Sequence, residues 1–181
     1  MNPLEAHLVT TGLGPVYDGI GHLVLSPEDW VPVLALGLFV GLRGDTIARK
    51  SLLALPLAWL SAGFVGGFIN ASTSFPVSSV TFLVLGLLIA TDLALPSTLI
   101  LVLTVLIGGL QGCLDGIAMR PPGGGALGVV GSVVTATVIL AITSGFVVSL
   151  KAPWTRIVVR VIGSWIAATG LLLLGWWLKR G

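Results

Sequence analysis

Two pairs of polar side chains stand out in a chain that is otherwise mostly apolar. Asp18 and His22 lie four positions apart in the stretch YDGIGH, so a helix would place them one turn apart on the same face. Gln111 and Asp115 have the same spacing in the stretch GGLQGCLDG. Carboxylate, amide and imidazole groups together suit a borderline divalent cation such as nickel, zinc, iron or copper(II). We therefore predict a metal site built from these two pairs, with His7 as a further candidate ligand and with Tyr17, Glu28 and Asp29 nearby.

Both pairs also have a structural interpretation. In it, the first pair belongs to a solvated N-terminal segment, Asp18 orients His22 for packing, and Ser26 caps the helix that follows. Asp115 then either makes a hydrogen bond at a helix interface or pairs with Arg120. The residue types alone leave the two interpretations open.

The composition excludes an ordinary water-soluble domain. Of the 181 residues, 55% are hydrophobic and only 9% are charged. The charged residues fall between apolar runs that are each close to the ~20 residues needed to cross a bilayer as a helix. The chain is therefore predicted to be an all-α, polytopic membrane protein whose net charge of +2 gives no indication of nucleic-acid binding. A single cysteine, Cys113, excludes an internal disulfide.

The apolar runs predict about six transmembrane helices. Their expected bounds are about 27–42, 51–69, 77–91, 97–118, 127–150 and 157–178. The start of the first helix is the clearest, because Ser26 and Pro27 are followed by two acidic residues. Residues 1–25 are predicted to be an extracytoplasmic N-terminal segment, either a helix, a re-entrant plug or a mobile strand, and residues 26–181 the six-helix transmembrane domain.

Small residues at helical spacing predict close contacts between helices. Gly63 and Gly67 lie four apart in the second span, and a longer glycine stripe accompanies the second polar pair, at Gly108, Gly112 and Gly116. In lipid, such stripes let two helix backbones approach closely. We expect the fourth span to use this face, so that a partner helix or the N-terminal segment comes near Gln111 and Asp115.

The distribution of basic residues predicts the orientation. The first and fifth turns contain six of them: Arg43, Arg49, Lys50, Lys151, Arg156 and Arg160. The opposite side has Arg120, Lys179 and Arg180. The positive-inside rule therefore predicts a multi-pass protein of the bacterial inner membrane with a periplasmic N-terminus. The opening residues MNPLEAHLV lack a basic region, so no removable signal peptide is expected. Asp92 is expected only to cap a tight cytoplasmic turn.

The run HLVTTGLGPVYDGIGHLVLSPEDWVPVLALGLFVGLRG resembles the HupE/UreJ family, and in particular its UreJ-like branch. The resemblance implies uptake or delivery of a divalent metal, nickel first, as a hydrogenase or urease accessory protein. The family's first motif falls on 19–22, where Gly21 replaces an aspartate. Its second motif falls on 111–116, where Gln111 replaces a histidine. Both departures leave a weaker ligand set.

We therefore interpret the chain as a metal permease or metal-delivery accessory protein and not as an enzyme, because no activated nucleophile or catalytic fingerprint is present. Its expected partners are the lipid bilayer, the metal ion, and either other membrane subunits or further copies of itself. Three alternatives remain open: a non-transporting subunit of a larger membrane complex, a channel for protons or a small neutral solute, and, least favoured, a membrane enzyme.

Overall fold

The part of the chain described by a computed structural model, residues 11–70, 76–120 and 124–180, is all helical. The all-α prediction is therefore confirmed for these residues. The helices are α1 (Pro15–Leu25), α2 (Pro27–Leu42), α3 (Asp45–Gly66), α4 (Val77–Thr91), α5 (Ser97–Ala118), α6 (Gly125–Ser149) and α7 (Pro153–Arg180).

Three of the predicted spans coincide with helices α2, α4 and α5. The helices that correspond to the other three predicted spans, α3, α6 and α7, begin before the apolar runs predicted for those spans. α3 starts at Asp45, because Gly44 takes a positive φ of 97° as the N-cap and the acidic Asp45 occupies the first turn. The basic stretch, for which the sequence predicts a turn, therefore consists mostly of the exposed first turns of a helix.

The N-terminal segment contains a helix of its own, which answers a question that the sequence left open. α1 begins with Pro15 in its first turn and ends at Leu25. α2 starts only two residues later, at an angle of 75° to α1. Ser26 makes this bend with an extended backbone, and Pro27 then starts the next helix.

Both parts of this bent pair pack on α6. A methyl group on Gly19 of α1 would overlap the Gly128 carbonyl oxygen, and one on Gly131 of α6 would overlap that of Val16. Further along, Gly37 of α2 packs against the side chain of Thr143 in α6. Side chains at these glycines would separate the helices, so α1 is held to the bundle through backbone contact.

The glycine stripe of α5 packs on α3, as predicted. Methyl groups on Gly112 and Gly116 would overlap the carbonyl oxygens of Trp59 and Gly63. Gly108 lies against Leu55 in the same register, so the two helices run in the same direction. This contact places the polar pair of α5 beside α3.

The predicted pairing of Gly63 with Gly67 is wrong in its second residue. Gly67 follows α3 and meets only the carbonyl oxygens of its own helix. Gly66 makes the contact, against the backbone of Cys113. At this end of α3 the two glycines that face α5 are therefore three residues apart and not four.

Length and composition identify three described helices that can cross a membrane: α5, α6 and α7. The bent pair α1 and α2 passes the same test when taken together, which gives up to four. α4 is apolar but has 15 residues. The six predicted spans are therefore matched in part, and the helices are those of a membrane protein.

The bundle is apolar on its outside as well as in its core. Trp59 and Phe39 are among the largest fully buried side chains. Leu106, Phe146 and Trp165 are 62%, 62% and 70% exposed on the outer faces. Trp165 thus lies on the outside of the bundle although it is deep in its span. This outer surface suits contact with lipid.

Candidate metal site

Polar side chains meet in the half of the bundle where α2 and α6 begin and α3 and α5 end. The bend between α1 and α2 brings the last turn of one helix beside the first turn of the other. As a result, His22 Nε2 lies 3.5 Å from Asp29 Oδ2. His22 is 7% exposed, so this contact is largely shielded from solvent.

The predicted pair in α5 is buried next to this contact. Gln111 is 2% exposed and Asp115 is 5% exposed. Gln111 Nε2 donates to the carbonyl oxygen of Glu28 at 3.4 Å, which ties α5 to the start of α2. The other amide atom, Oε1, accepts no hydrogen bond from the part of the chain that is described. A buried amide oxygen without a donor is suited to bind a cation.

The carboxylate of Asp115 accepts hydrogen bonds from two neighbouring helices. Trp59 Nε1 donates to Oδ2 at 3.1 Å, and Ser132 Oγ lies 3.0 Å from Oδ1. The same hydroxyl is 3.2 Å from the carbonyl oxygen of Gly19 in α1. Because a serine hydroxyl has one proton, it donates to only one of these acceptors at a time. Asp115 therefore connects α3, α5 and α6, as its interface interpretation predicted.

The predicted alternative pairing of Asp115 with Arg120 is wrong. Arg120 Nη1 donates to the carbonyl oxygen of Ile69 at 3.2 Å and to Asn70 Oδ1 at 3.0 Å. Arg120 thus joins the end of α5 to the segment after α3. Asp115 is left without a basic partner among the described residues.

Negative charge is concentrated at this site. Asp29 and Asp115 are close enough to repel each other, and Glu28 adds to the repulsion at Asp29. No lysine or arginine forms an ion pair with Asp29 or Asp115 within the described ranges. A buried carboxylate without a basic partner, as at Asp115, is costly, so the arrangement favours a bound cation, either a metal or protons.

Comparison with protein families adds an independent observation. The family model described as HupE / UreJ protein matches residues 1–173. The chain belongs to the HupE/UreJ family. No curated protein and no solved structure matches it. The resemblance inferred from residues 7–44 is thereby confirmed over nearly the whole chain, and the family is one associated with nickel or cobalt accessory and transport functions.

The structure of this HupE/UreJ protein gives the predicted ligands different surroundings. His22, Gln111 and Asp115 lie at the site just described. Asp18 Oδ1 instead accepts two hydrogen bonds from Thr11, one from the backbone nitrogen at 2.6 Å and one from the side-chain hydroxyl at 2.7 Å. His7 lies outside the described residues.

In this HupE/UreJ protein the acid beside His22 is Asp29. The carboxylate of Asp18, which the spacing of four places beside His22, binds Thr11 instead. No group of three His, Cys, Asp or Glu side chains in the described ranges is close enough to hold a metal ion. The site thus provides two carboxylates, one imidazole and one amide oxygen, without the compact geometry of a preformed metal centre.

Two residues of the site, Trp59 and Ser132, are not predicted from the sequence. Local patterns assign Trp59 to packing and Ser132 to no role. Each contact crosses between helices, as with the 56 positions that separate Trp59 from Asp115. Asp29 is predicted as a neighbour of the site, because the acidic pair at 28–29 lies at the mouth of the first span.

A second polar cluster lies at the opposite end of the bundle. Asp92, for which the sequence predicts a turn cap, does take a left-handed φ of 52° after α4. Its carboxylate also binds Arg43 at 2.6 Å and receives two hydrogen bonds from Arg156. These bonds from Arg156, together with both positive charges, hold the pKa of Asp92 below its ordinary value. We call these three residues the ionic cluster.

Proposed function

We propose that this HupE/UreJ protein binds a divalent cation, nickel first, and passes it through the membrane or delivers it to an accessory partner. The observation that supports the proposal most directly is the burial of Asp115 near a second carboxylate, that of Asp29, with no lysine or arginine paired to either among the described residues. His22 and the Gln111 amide oxygen add the nitrogen and oxygen donors that a borderline cation accepts. No enzymatic step is part of this proposal.

The ligand set suits a cargo better than a permanent cofactor. A transported ion must bind well enough to enter and weakly enough to leave. The described part of the chain lacks a three-residue metal cluster, and both oxygens of Asp115 already accept hydrogen bonds. A cation would therefore bind through few strong ligands and compete with Trp59 and Ser132. We infer a transient site in which His22 and Asp29 receive the ion and Gln111 and Asp115 hold it next.

We further propose that α2 to α7 cross the bacterial inner membrane six times with the site near the periplasmic face. The parallel contact of α3 with α5 supports this topology. If every helix from α2 to α7 crosses the membrane, α3 and α5 are separated by one crossing, α4, and must therefore run in the same direction. The antiparallel contact of α4 with α7 also supports it: Gly86 meets Ala167, and Gly163 meets Ile89. The ionic cluster would then be cytoplasmic, in agreement with the positive-inside rule.

Labelling of single cysteines tests the topology. In a Cys113→Ala background, Tyr17→Cys should react with an impermeant maleimide applied to intact cells, and Trp154→Cys should react only after lysis. Both side chains are exposed, at 54% and 65%, so accessibility of the residue itself does not limit the reaction. The reverse pattern would contradict the proposed orientation.

Nickel uptake into proteoliposomes tests the function. The wild-type protein should accumulate Ni²⁺ in the lumen, and Asp115→Asn should reduce the initial rate at least about tenfold because the buried negative charge is lost. Asp45→Asn is the matched control, since Asp45 is exposed and forms an ion pair with Arg49 at the end of α3 that lies away from the site. Equal uptake by wild type, Asp115→Asn and empty liposomes would overturn the transport proposal.

The second candidate function is that of a non-transporting subunit in a larger membrane complex. The hydrogen bonds of Asp115 to Trp59 and Ser132 favour it, because they give this carboxylate a structural role without any metal. A partner copurified in constant stoichiometry from a mild detergent, together with absent uptake by the isolated protein, would select this candidate.

A further inference from the structure

A cavity lies at the end of the bundle opposite the candidate metal site. It has a volume of about 250 Å³ and is formed where α2 and α6 end and α7 begins. Its wall includes the polar side chains of Lys151, Thr155 and Arg156. Neither the candidate metal site nor the proposed transport uses this cavity.

The polar side of the cavity is positively charged. Lys151 is exposed and forms no ion pair in the described part of the chain. Arg156 donates to Asp92 through Nε and Nη2, which leaves Nη1 of the guanidinium available to another acceptor. The first turn of α7 adds the positive end of a helix of 28 residues at Pro153, which also lines the cavity. An anion is therefore the ligand that fits this side.

The other side of the cavity is apolar. It is lined by Gly41 of α2, Val147 of α6 and Val159 of α7, and both valines are buried. The same cavity thus presents cationic donors next to a hydrocarbon wall at the end of the transmembrane helices. A small soluble anion would use only the first of these features, whereas a phospholipid would use both, with its phosphate at the donors and its glycerol and acyl carbons along the wall.

We propose that this cavity binds the phosphate group of an anionic phospholipid. Lys151 and Nη1 of Arg156 donate to the phosphate oxygens, and the valine wall contacts the apolar part of the same molecule. Asp92 fixes the guanidinium of Arg156 through two hydrogen bonds, so this donor is oriented before the lipid arrives. The lipid would connect the ends of α2, α6 and α7, and this assignment does not depend on metal binding.

Lipid titration of the purified full-length protein tests the proposal. Native mass spectrometry would measure binding of phosphatidylglycerol and of phosphatidylcholine to wild type, Lys151→Gln and Lys50→Gln. Lys50 is the matched control because it is an exposed lysine in the second turn of α3 and does not line the cavity. We expect Lys151→Gln to weaken phosphatidylglycerol binding about fivefold, since one cation near an anionic lipid contributes ~1 kcal/mol, and Lys50→Gln to leave it unchanged. Thermal unfolding of each variant without lipid shows that it is folded.

Three results would overturn the proposal. Equal binding of phosphatidylcholine would show that the anionic headgroup is not recognised. Equal losses in Lys151→Gln and Lys50→Gln would show that general surface charge, not the cavity, attracts the lipid. Tighter binding of inorganic phosphate than of phosphatidylglycerol, weakened by Lys151→Gln, would assign the donors to a soluble ion and not to a lipid.

Discussion

The indole nitrogen of Trp59 donates a hydrogen bond of 3.1 Å to Asp115, and this bond joins α3 to α5 inside the bundle. Trp59 is 1% exposed and Asp115 is 5% exposed, so water does not replace the bond when it is lost. The close glycine contact between the two helices makes the distance short enough. The position of the carboxylate therefore depends on contact with a helix whose residue Trp59 is 56 positions away along the chain.

Replacing Trp59 by phenylalanine keeps an aromatic side chain but removes the donor. We expect Trp59→Phe to lower the free energy of unfolding by about 2 kcal/mol, because one oxygen of a buried carboxylate loses its hydrogen bond. Thermal unfolding in detergent measures the change. Trp165→Phe is the control, since that indole is 70% exposed and should have an effect near zero. Equal losses for both variants would mean that the bond to Asp115 contributes nothing.

The glycine stripe offers a matched pair of substitutions on one helix. Gly112→Ala would place a methyl group against the backbone of Trp59, and we expect it to destabilise the protein by about 1–3 kcal/mol. Gly109→Ala meets nothing within 4 Å, and alanine is the better helix former, so it should be neutral or stabilising. Thermal unfolding of both variants checks this prediction, which fails if Gly112→Ala is as stable as Gly109→Ala.

The ionic cluster should make stability depend on pH. The pKa of Asp92 is lowered in the folded protein, mainly by its hydrogen bonds from Arg156, so its contribution is complete above its ordinary value of 3.8 and is lost as the pH falls through the lowered pKa. Asp92→Asn preserves a side chain that tolerates the left-handed backbone. We expect it to cost about 1 kcal/mol at pH 7, a modest value because the side chain of Arg156 is 53% exposed and water screens the pair.

Melting temperatures measured from pH 7 to pH 3 check this assignment. The difference between wild type and Asp92→Asn should be constant down to about pH 4 and should shrink below it. Asp45→Asn is the control, because Asp45 and Arg49 are 61% and 80% exposed and their ion pair should contribute little. A difference that grows as the pH falls would contradict a lowered pKa for Asp92 in the folded protein.

Much of the fold could be predicted from the sequence because apolar runs and glycine spacing are local signals. The bounds of α4 and α5 follow from prolines and polar residues at their ends, and the stripe containing Gly112 identified the packed face of α5. The early start of α3 could not be predicted in this way. Its first turns are polar and exposed, so hydrophobicity does not show where the helix begins.

The candidate site was predictable only in part. Gln111 and Asp115 stood out because polar groups are rare in an apolar helix, and His22 because the chain has two histidines. The partner of His22 depended on the 75° bend at Ser26, which no local pattern specified. A helical spacing of four pointed to Asp18, whereas the bend brought Asp29 to the imidazole at 3.5 Å. Contacts set by the angle between two helices require the tertiary structure.

The most direct test of the central claim is calorimetric titration of Ni²⁺ into the purified protein, with wild type compared with His22→Ala, Asp115→Asn and Asp18→Asn. We predict roughly one ion per chain, at least tenfold weaker binding in His22→Ala and Asp115→Asn, and unchanged affinity in Asp18→Asn, whose carboxylate is bound to Thr11. Absent binding to wild type, or equal affinity in wild type, His22→Ala and Asp115→Asn, would contradict a cation site at these residues.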